Sequence, residues 1–238
     1  DVLCHAAAMQ DILFPVFTNG TLLDDDWAHF FRRHRNLMPV LSIEGDKAAT
    51  DGRRGDGVYD RLLEAMHRLK RRRVPFAVSI TVTRENLDQV TDAPFLRFLQ
   101  QRGCTVAFFV EYVPADRSTV ALALDDADRS LCQKRLDTWR EHNRMILLAF
   151  PGDENAAGGC LAAGRGFFHI SSAGDAEPCP FSPYSDRSLR NASLADALAS
   201  PLFAQLQSSG LLKAMHEGGC VLFEHEKKVK GMLKTEEA

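Results

Sequence analysis

Three cysteines in the last third of the chain are of a residue type that can do metal chemistry. Thirteen residues separate Cys160 from Gly174, four more separate Gly174 from Cys179, and Cys220 follows a Gly-Gly pair. Thiolates ligate zinc and iron–sulfur clusters. The remaining cysteines, Cys4, Cys104 and Cys132, are isolated. In a chain of 238 residues without a visible secretory leader, reduced thiols are expected, used for packing, catalysis or metal binding. Packing accounts poorly for three cysteines beside glycines in the least apolar part of the chain. A structural zinc site normally shows a close CxxC pair, and none is present. Zinc, an iron–sulfur cluster and plain burial all stay open on these residues alone.

A second group of candidates sits in the first half. Thr18-Asn19-Gly20-Thr21, Ser42-Ile43-Glu44-Gly45-Asp46, Ser79, Thr81, Thr83 and Asn86, and Glu111-Tyr112-Val113-Pro114 each lie at or near the carboxyl end of a β-rich run. In βα architectures functional groups gather at those ends. Ordinary turn chemistry explains any one of them. The recurrence at four successive ends points to a polar ligand site. Arg53 and Arg54 have the fork geometry to clamp a carboxylate or phosphate, or to pair with Asp51 or Asp56.

The elements that must position these residues are legible as alternating patterns. Apolar β-rich runs are expected at Ile12–Thr18, Met38–Ile43, Phe76–Thr83, Thr105–Tyr112 and Met145–Phe150. Helical periodicity appears in Trp27, Phe30, Phe31 and His34, in Tyr59, Leu62, Leu63, Met66 and Leu69, in Phe95, Phe98 and Leu99, and in Leu131, Leu136 and Trp139. Near-continuous apolar strands separated by amphipathic helices predict a parallel sheet covered by helices. Pro151–Gly166 reads as a Gly/Ala-rich linker. A hairpin is expected around Ala173-Gly174-Asp175, and helices at Ser193–Gln207, Gly210–His216 and Glu224–Lys234. A boundary is placed near residue 151.

Composition narrows the function classes. The chain has 29 Lys+Arg against 32 Asp+Glu, a net charge of −3, with 45% apolar and 26% charged residues. That balance excludes binding of nucleic acid by bulk charge, and the Lys70–Arg73 run reads as a solvated helix end. The longest apolar runs are too short to span a bilayer. A cytoplasmic protein without nucleic-acid or membrane partners is expected.

In order along the chain, these motifs resemble the radical S-adenosylmethionine (radical SAM) family. Thr18-Asn19-Gly20, Leu41-Ser42-Ile43-Glu44-Gly45 with Arg53-Arg54-Gly55, the helix Tyr59–Lys70, the run Val78–Thr83 with Asn86, and Glu111-Tyr112-Val113-Pro114 match over residues 11–150. Cys160, a thirteen-residue spacer and Gly174-x4-Cys179 are similar to the opening of the C-terminal cluster extension called SPASM, or its shorter relative, twitch. The resemblance implies an α/β fold: a partial (β/α)6 TIM-like barrel lacking its first strands over residues 1–150, and a small α+β cluster-binding extension over 151–238.

It also implies the cofactors S-adenosylmethionine and a [4Fe-4S] cluster. A 5′-deoxyadenosyl radical would abstract hydrogen from a small-molecule or peptide substrate, and flavodoxin or ferredoxin would donate the electron. Thr18, Asn19, Ser42, Arg54 and Thr81 would line the SAM or substrate side, with Tyr112 and Val113 near the adenine. Cys160, Cys179 and Cys220 would ligate an auxiliary cluster, with Glu224, His225, another cysteine or the substrate as a candidate fourth ligand.

The departures are specific. No cysteines show the CxxxCxxC spacing that holds the SAM-cleaving cluster in that family, and its Gly-Gly-Glu-type motif is missing. Both are expected upstream of Asp1, with residues 3–10 as the tail of a helix following a second strand. On that reading the chain is a fragment, inactive by itself, that exposes the edge of its first strand. Two other readings are a non-catalytic iron–sulfur or zinc module on a barrel remnant, and a metal-free barrel enzyme using Glu44 and Glu111 as acid and base.

Overall fold

A computed structural model of the chain describes residues 2–114, 117–214 and 220–233. It divides into two compact units. The first is Asp1–Tyr112 with Asp126–Phe150, and the second is Val113–Asp125 with Pro151–Ala238.

The first unit is built on five parallel strands, β1 (Phe14–Thr18), β2 (Leu37–Ser42), β3 (Phe76–Val82), β4 (Cys104–Glu111) and β5 (Ile146–Phe150). They lie side by side in chain order, with helices in each connection. The five β-rich runs of the sequence become these five strands with ends shifted by one or two residues. A helix at Val2–Ala8 precedes β1, which lies at the edge of the sheet.

Local chemistry explains where the helices start and stop. Asp24, Asp46 and Asp92 cap the helices Asp25–Arg33, Lys47–Arg54 and Ala93–Arg102, each side chain accepting from a backbone amide in the first turn. The helix Val58–Arg71 buries Leu62, Ala65, Met66 and Leu69, the three- and four-residue spacing of one face. Its basic end is tied down: Arg71 and Arg72 pair with Asp25, and Lys70 donates to the Gln101 carbonyl. The sequence reading of this run as a helix terminus is thereby given partners.

The two faces of the sheet differ. Register places Leu41, Val78 and Ala107 in one row, and that face is covered by helices, with Leu41, Val78, Ile80 and Phe109 at 1% exposure or less. Alternation sends Phe17, Ser42, Ser79, Thr81, Phe108 and Phe150 to the opposite face. Phe17 there is 58% exposed and Phe150 37%. Phe108 lies between them, its ring 5.7 Å from Phe17 and 6.4 Å from Phe150. One side is thus a packed core, and the other an open surface with an aromatic row and three hydroxyls.

The second unit is smaller and has its own apolar cluster. It contains Ala162, Ala163, Ala176, Leu202, Phe203, Leu206 and Val229, together with Cys179 and Cys220. Its two-residue strands β6 (His169–Ile170) and β7 (Ala176–Glu177) pair antiparallel, and Gly174 turns the chain between them at φ +89°.

Four expectations need correction. Pro151–Gly166 is not a linker: Gly152–Ala157 forms a 3-10 turn, and Ala162 and Ala163 are fully buried. The helix expected at Ser193–Gln207 is two helices, Leu194–Leu198 and Pro201–Ser208. The break has a cause, because Pro201 cannot continue a preceding helix while Ser200 caps a new one through the Phe203 amide. The stretch Glu224–Lys234 is also divided, into Val221–Glu224 and Glu226–Leu233; Lys234 lies outside the described residues. Of Gly210–His216, Leu211–Lys213 is a 3-10 turn and Met215 and His216 lie outside.

Candidate functional site

Two constellations stand out, one in each unit. In the first unit, Glu44 follows β2 and its side chain is only 2% exposed. One carboxylate oxygen accepts from Arg54 Nη2 at 2.5 Å and faces Arg53 Nε at 3.3 Å. The other accepts the Thr81 amide from β3 at 3.1 Å. A buried carboxylate requires such partners, since an unpaired charge away from water is costly. Asn86 ties the same strand ends together, donating at 3.0 Å to both the Glu44 and Thr81 carbonyls and accepting the Thr83 amide at 2.8 Å. The Arg53 guanidinium also lies 5.8 Å from the centre of the Tyr112 ring. Two guanidiniums on one carboxylate leave one net positive charge at the carboxyl ends of β2 and β3. That arrangement suits a single anionic group.

In the second unit, Cys160, Cys179 and Cys220 converge. The Cys179 and Cys220 thiols share a hydrogen bond, Cys160 feels the charge of Cys220, and Cys179 feels that of Cys160. Glu154, buried in the Gly152–Ala157 turn, makes a side-chain hydrogen bond with Cys160. Gly159 permits this approach: it sits at φ +104°, where a Cβ would come within 2.5 Å of the Leu212 carbonyl oxygen. The next residue, Cys160, donates its amide to that same carbonyl at 2.8 Å. Arg165 braces the loop through the Cys160 carbonyl at 2.5 Å.

The thiols are electrostatically unequal. Burial pushes the Cys160 thiol up to about 12. Within the hydrogen-bonded pair, Cys179 is raised as the proton donor and Cys220 is lowered, to about 7. Cys220 leads into the helix Val221–Glu224, and the Leu222 and Phe223 amides favour its thiolate without closing a full capping hydrogen bond. Among the described residues, no three His, Cys, Asp or Glu side chains are drawn together as a single metal ion requires.

Cys104 makes a clean contrast. It opens β4, and burial pushes its thiol up to about 12 from an ordinary 9.0. A thiol raised by folding supports stability below about pH 9 and withdraws that support as the pH climbs toward about 12. Urea midpoints are therefore expected to fall across that interval. Cys104→Ala should flatten the fall, and an unchanged slope in the variant would contradict the assignment.

No family profile matches the chain. Sequence comparison does find relatives. A cysteine-type anaerobic sulfatase-maturating enzyme of Clostridium novyi is 24% identical over 196 positions, covering 72% of this chain and 50% of the relative. An AdoMet-dependent heme synthase of Methanosarcina barkeri is 25% identical over 237 positions, covering 88% and 66%. The fold matches Streptococcus suis SuiB bound to S-adenosylmethionine with a TM-score of 0.68 and 15% identity, over 87% of this chain and 52% of that one. It matches anSMEcpe, solved with AdoMet and the Cp18Cys peptide, with a TM-score of 0.65 and 17% identity, over 87% and 62%. SuiB bound to the precursor peptide SuiA gives 0.66 and 18%, over 87% and 52%.

The chain is a relative of the radical SAM enzymes. It spans between half and two thirds of the length of the two curated relatives.

Against that background, the structure sorts the residues singled out by sequence. Ser42 and Thr81 share the open face of the sheet, with Ser79 in register beside Ser42. Thr18 pairs with Leu41 and so points to the helix-covered side. Its hydroxyl accepts the Gly20 amide, and Asn19 accepts from Thr21, which is turn chemistry. Arg54 pairs with Glu44, not with Asp51 or Asp56. Tyr112 donates its amide to the Val82 carbonyl at 2.9 Å. Val113 groups with the apolar cluster of the second unit.

Cys160, Cys179 and Cys220 do come together. Glu224 is exposed, and His225 stands between two helices. Glu154 was missed because its segment reads as a linker; the signal available was its closeness to Cys160.

Proposed function

We propose that this chain is part of a radical SAM enzyme. Residues 1–150 form part of a (β/α)6 barrel, and residues 151–238 form a SPASM- or twitch-like extension carrying an auxiliary [4Fe-4S] cluster. The observation that carries this reading is the convergence of three sequence-distant thiols in a chain whose fold matches proteins solved with S-adenosylmethionine.

In the intact enzyme, a cluster and SAM supply one-electron cleavage and a radical that takes hydrogen from substrate. The residues of this chain bind and orient. Arg54, held by Glu44, offers its guanidinium to the SAM carboxylate, and Ser42 and Thr81 offer hydrogen bonds from the open face of the sheet. Asn19 and Thr18 line the neighbouring turn, and Tyr112 and Val113 follow β4 toward the adenine. Cys160, Cys179 and Cys220 supply thiolates to the auxiliary cluster. The CxxxCxxC triad is not among the six cysteines, so this chain binds SAM without cleaving it. A peptide substrate is favoured, because related folds were solved with peptides. A reduced flavodoxin or ferredoxin in the cytoplasm would supply the electron. Among the described residues no helix is long and apolar enough to cross a membrane.

Anaerobic equilibrium dialysis with labelled SAM tests the binding half. Saturable binding is expected, weakened about tenfold by Arg54→Met through loss of a charged hydrogen bond. It should be untouched by Arg61→Met on the exposed face of the helix Val58–Arg71. Equal affinity in the wild type and the Arg54 variant would remove Arg54 from the site.

A further inference from the structure

The three thiols of the second unit are not equally placed. Cys179 and Cys220 share a hydrogen bond in which Cys179 donates and Cys220 accepts. Cys160 makes its side-chain hydrogen bond with Glu154 and interacts with the other two through charge. The described residues thus bring two of these thiols into contact. None of the three is bridged. Cys179 and Cys220 belong to one apolar cluster, at 6% and 7% exposure.

Each member of the pair is held by its own backbone contacts. The Ala163 amide donates to the Pro178 carbonyl at 3.0 Å, and the Ser182 amide donates to the Cys179 carbonyl at 2.9 Å, closing a turn at that thiol. The Cys220 carbonyl accepts the Glu224 amide at 3.1 Å, at the start of the helix Val221–Glu224. Packing between segments far apart in sequence therefore fixes the pairing. Cysteines held apart need backbone movement to be bridged, whereas thiols already in hydrogen-bond contact need chiefly side-chain rotation. A disulfide also suits apolar surroundings, since it removes both S–H groups. At such burial only a small oxidant reaches the sulfurs.

We propose that Cys179 and Cys220 are a redox pair that closes to a reversible disulfide when the chain carries no cluster. The oxidant is a small hydroperoxide. With hydrogen peroxide, the Cys220 sulfur attacks one oxygen, the O–O bond breaks, and the thiol proton leaves with the departing hydroxide as water. Cys220 is then a sulfenic acid. The Cys179 sulfur displaces its hydroxyl, which leaves with the Cys179 proton as a second water, and the S–S bond forms. Two thiols are oxidised and one peroxide is reduced. A dithiol reductant reopens the bond by exchange. Closure withdraws two of the three thiolates proposed for the cluster; that consequence rests on the cluster reading above, while the bond itself does not.

The test uses the 238-residue chain, purified under reductant, stripped of metal with a chelator and treated anaerobically with one equivalent of hydrogen peroxide. Thiols are counted before and after, and the alkylated, unreduced digest is mapped by mass spectrometry. The reduced chain has six thiols. Two are expected to disappear, to return with dithiothreitol, and to be recovered as one linked pair of peptides containing Cys179 and Cys220. A parallel sample with Cys4→Ser removes links between chains through that exposed cysteine. Cys160→Ser should still lose two thiols, and Cys179→Ser should stop at a Cys220 sulfenic acid that dimedone traps. A map joining Cys160 to either partner, or a chain that keeps all its thiols, would overturn the pairing. No iron is present, so the disulfide result stands apart from cluster loading. A chain that forms the bond but takes up no iron and sulfide when reduced loses only the cluster reading, and one that loads a cluster but forms no bond loses only the redox pair.

Discussion

Replacing Cys160, Cys179 and Cys220 together by serine is expected to abolish cluster loading: the variant should stay colourless after anaerobic treatment with iron and sulfide, while wild type should gain a broad absorbance near about 400 nm. Serine is close to cysteine in size but ionises far outside the accessible range and is a hard donor, so it supplies no thiolate to iron. The expected loss is of the whole signal rather than a fraction, because the only other cysteines, Cys4, Cys104 and Cys132, are separate in sequence and Cys104 holds its proton to about 12. The fold should survive. Cys179 and Cys220 are 6% and 7% exposed, and each buried hydroxyl that lacks a full partner costs about 1–3 kcal/mol. Circular dichroism before loading separates a folded, unloaded variant from an unfolded one. A folded triple variant that still turns brown would place the cluster elsewhere, and a wild type that stays colourless while holding zinc would favour the structural-zinc alternative.

Glu44→Ala is expected to carry the largest stability cost among substitutions near the proposed SAM site. The change leaves the Thr81 amide without its acceptor and sets the like charges of Arg53 and Arg54 beside each other. Breaking a fully buried ion pair costs about 3–5 kcal/mol. Here the arginines are partly wet, at 41% and 24% exposure, so water recovers part of the loss. A destabilisation of about 2–3 kcal/mol follows. Glu44→Gln retains an oxygen for the Thr81 amide and should cost roughly half as much. Urea unfolding of the two variants measures both values. The same variants should weaken SAM binding, because Arg54 loses the anchor that orients it. A cost under about 0.5 kcal/mol for Glu44→Ala, the range of an ordinary surface change, would show that the pairing is not formed in solution.

These two results probe different kinds of information. The three cysteines are visible as letters, and their spacing around Gly174 resembles that of the family's cluster extension. The five strands are equally legible, because each is a short apolar run bounded by helical periodicity. The helix Val58–Arg71 could be read from its apolar spacing alone. Local signals with a strict geometric period survive folding almost unchanged.

What failed to show in the sequence depends on contacts between distant residues. Thr18, Ser42 and Thr81 looked equivalent as strand-end hydroxyls, but a strand has two faces and only register assigns them. That register turns Thr18 toward the helices and keeps Ser42 and Thr81 on the open side. The arginine pair had several carboxylates within reach along the chain, and the fold chose Glu44, buried across from Thr81. Pro151–Gly166 has the small-residue composition of a linker, yet alanines and glycines are also what close backbone packing demands, and Gly159 against Leu212 uses it in that way.

The sequence by itself determined the parallel α/β plan, the family resemblance and the three thiols, since those rest on residue type and short-range period. Only the tertiary structure decided which hydroxyls share a face, which acid holds Arg54, and that Glu154 meets Cys160. Each of those is a choice among partners far apart in the chain, settled by the packing that brings one of them within a hydrogen bond.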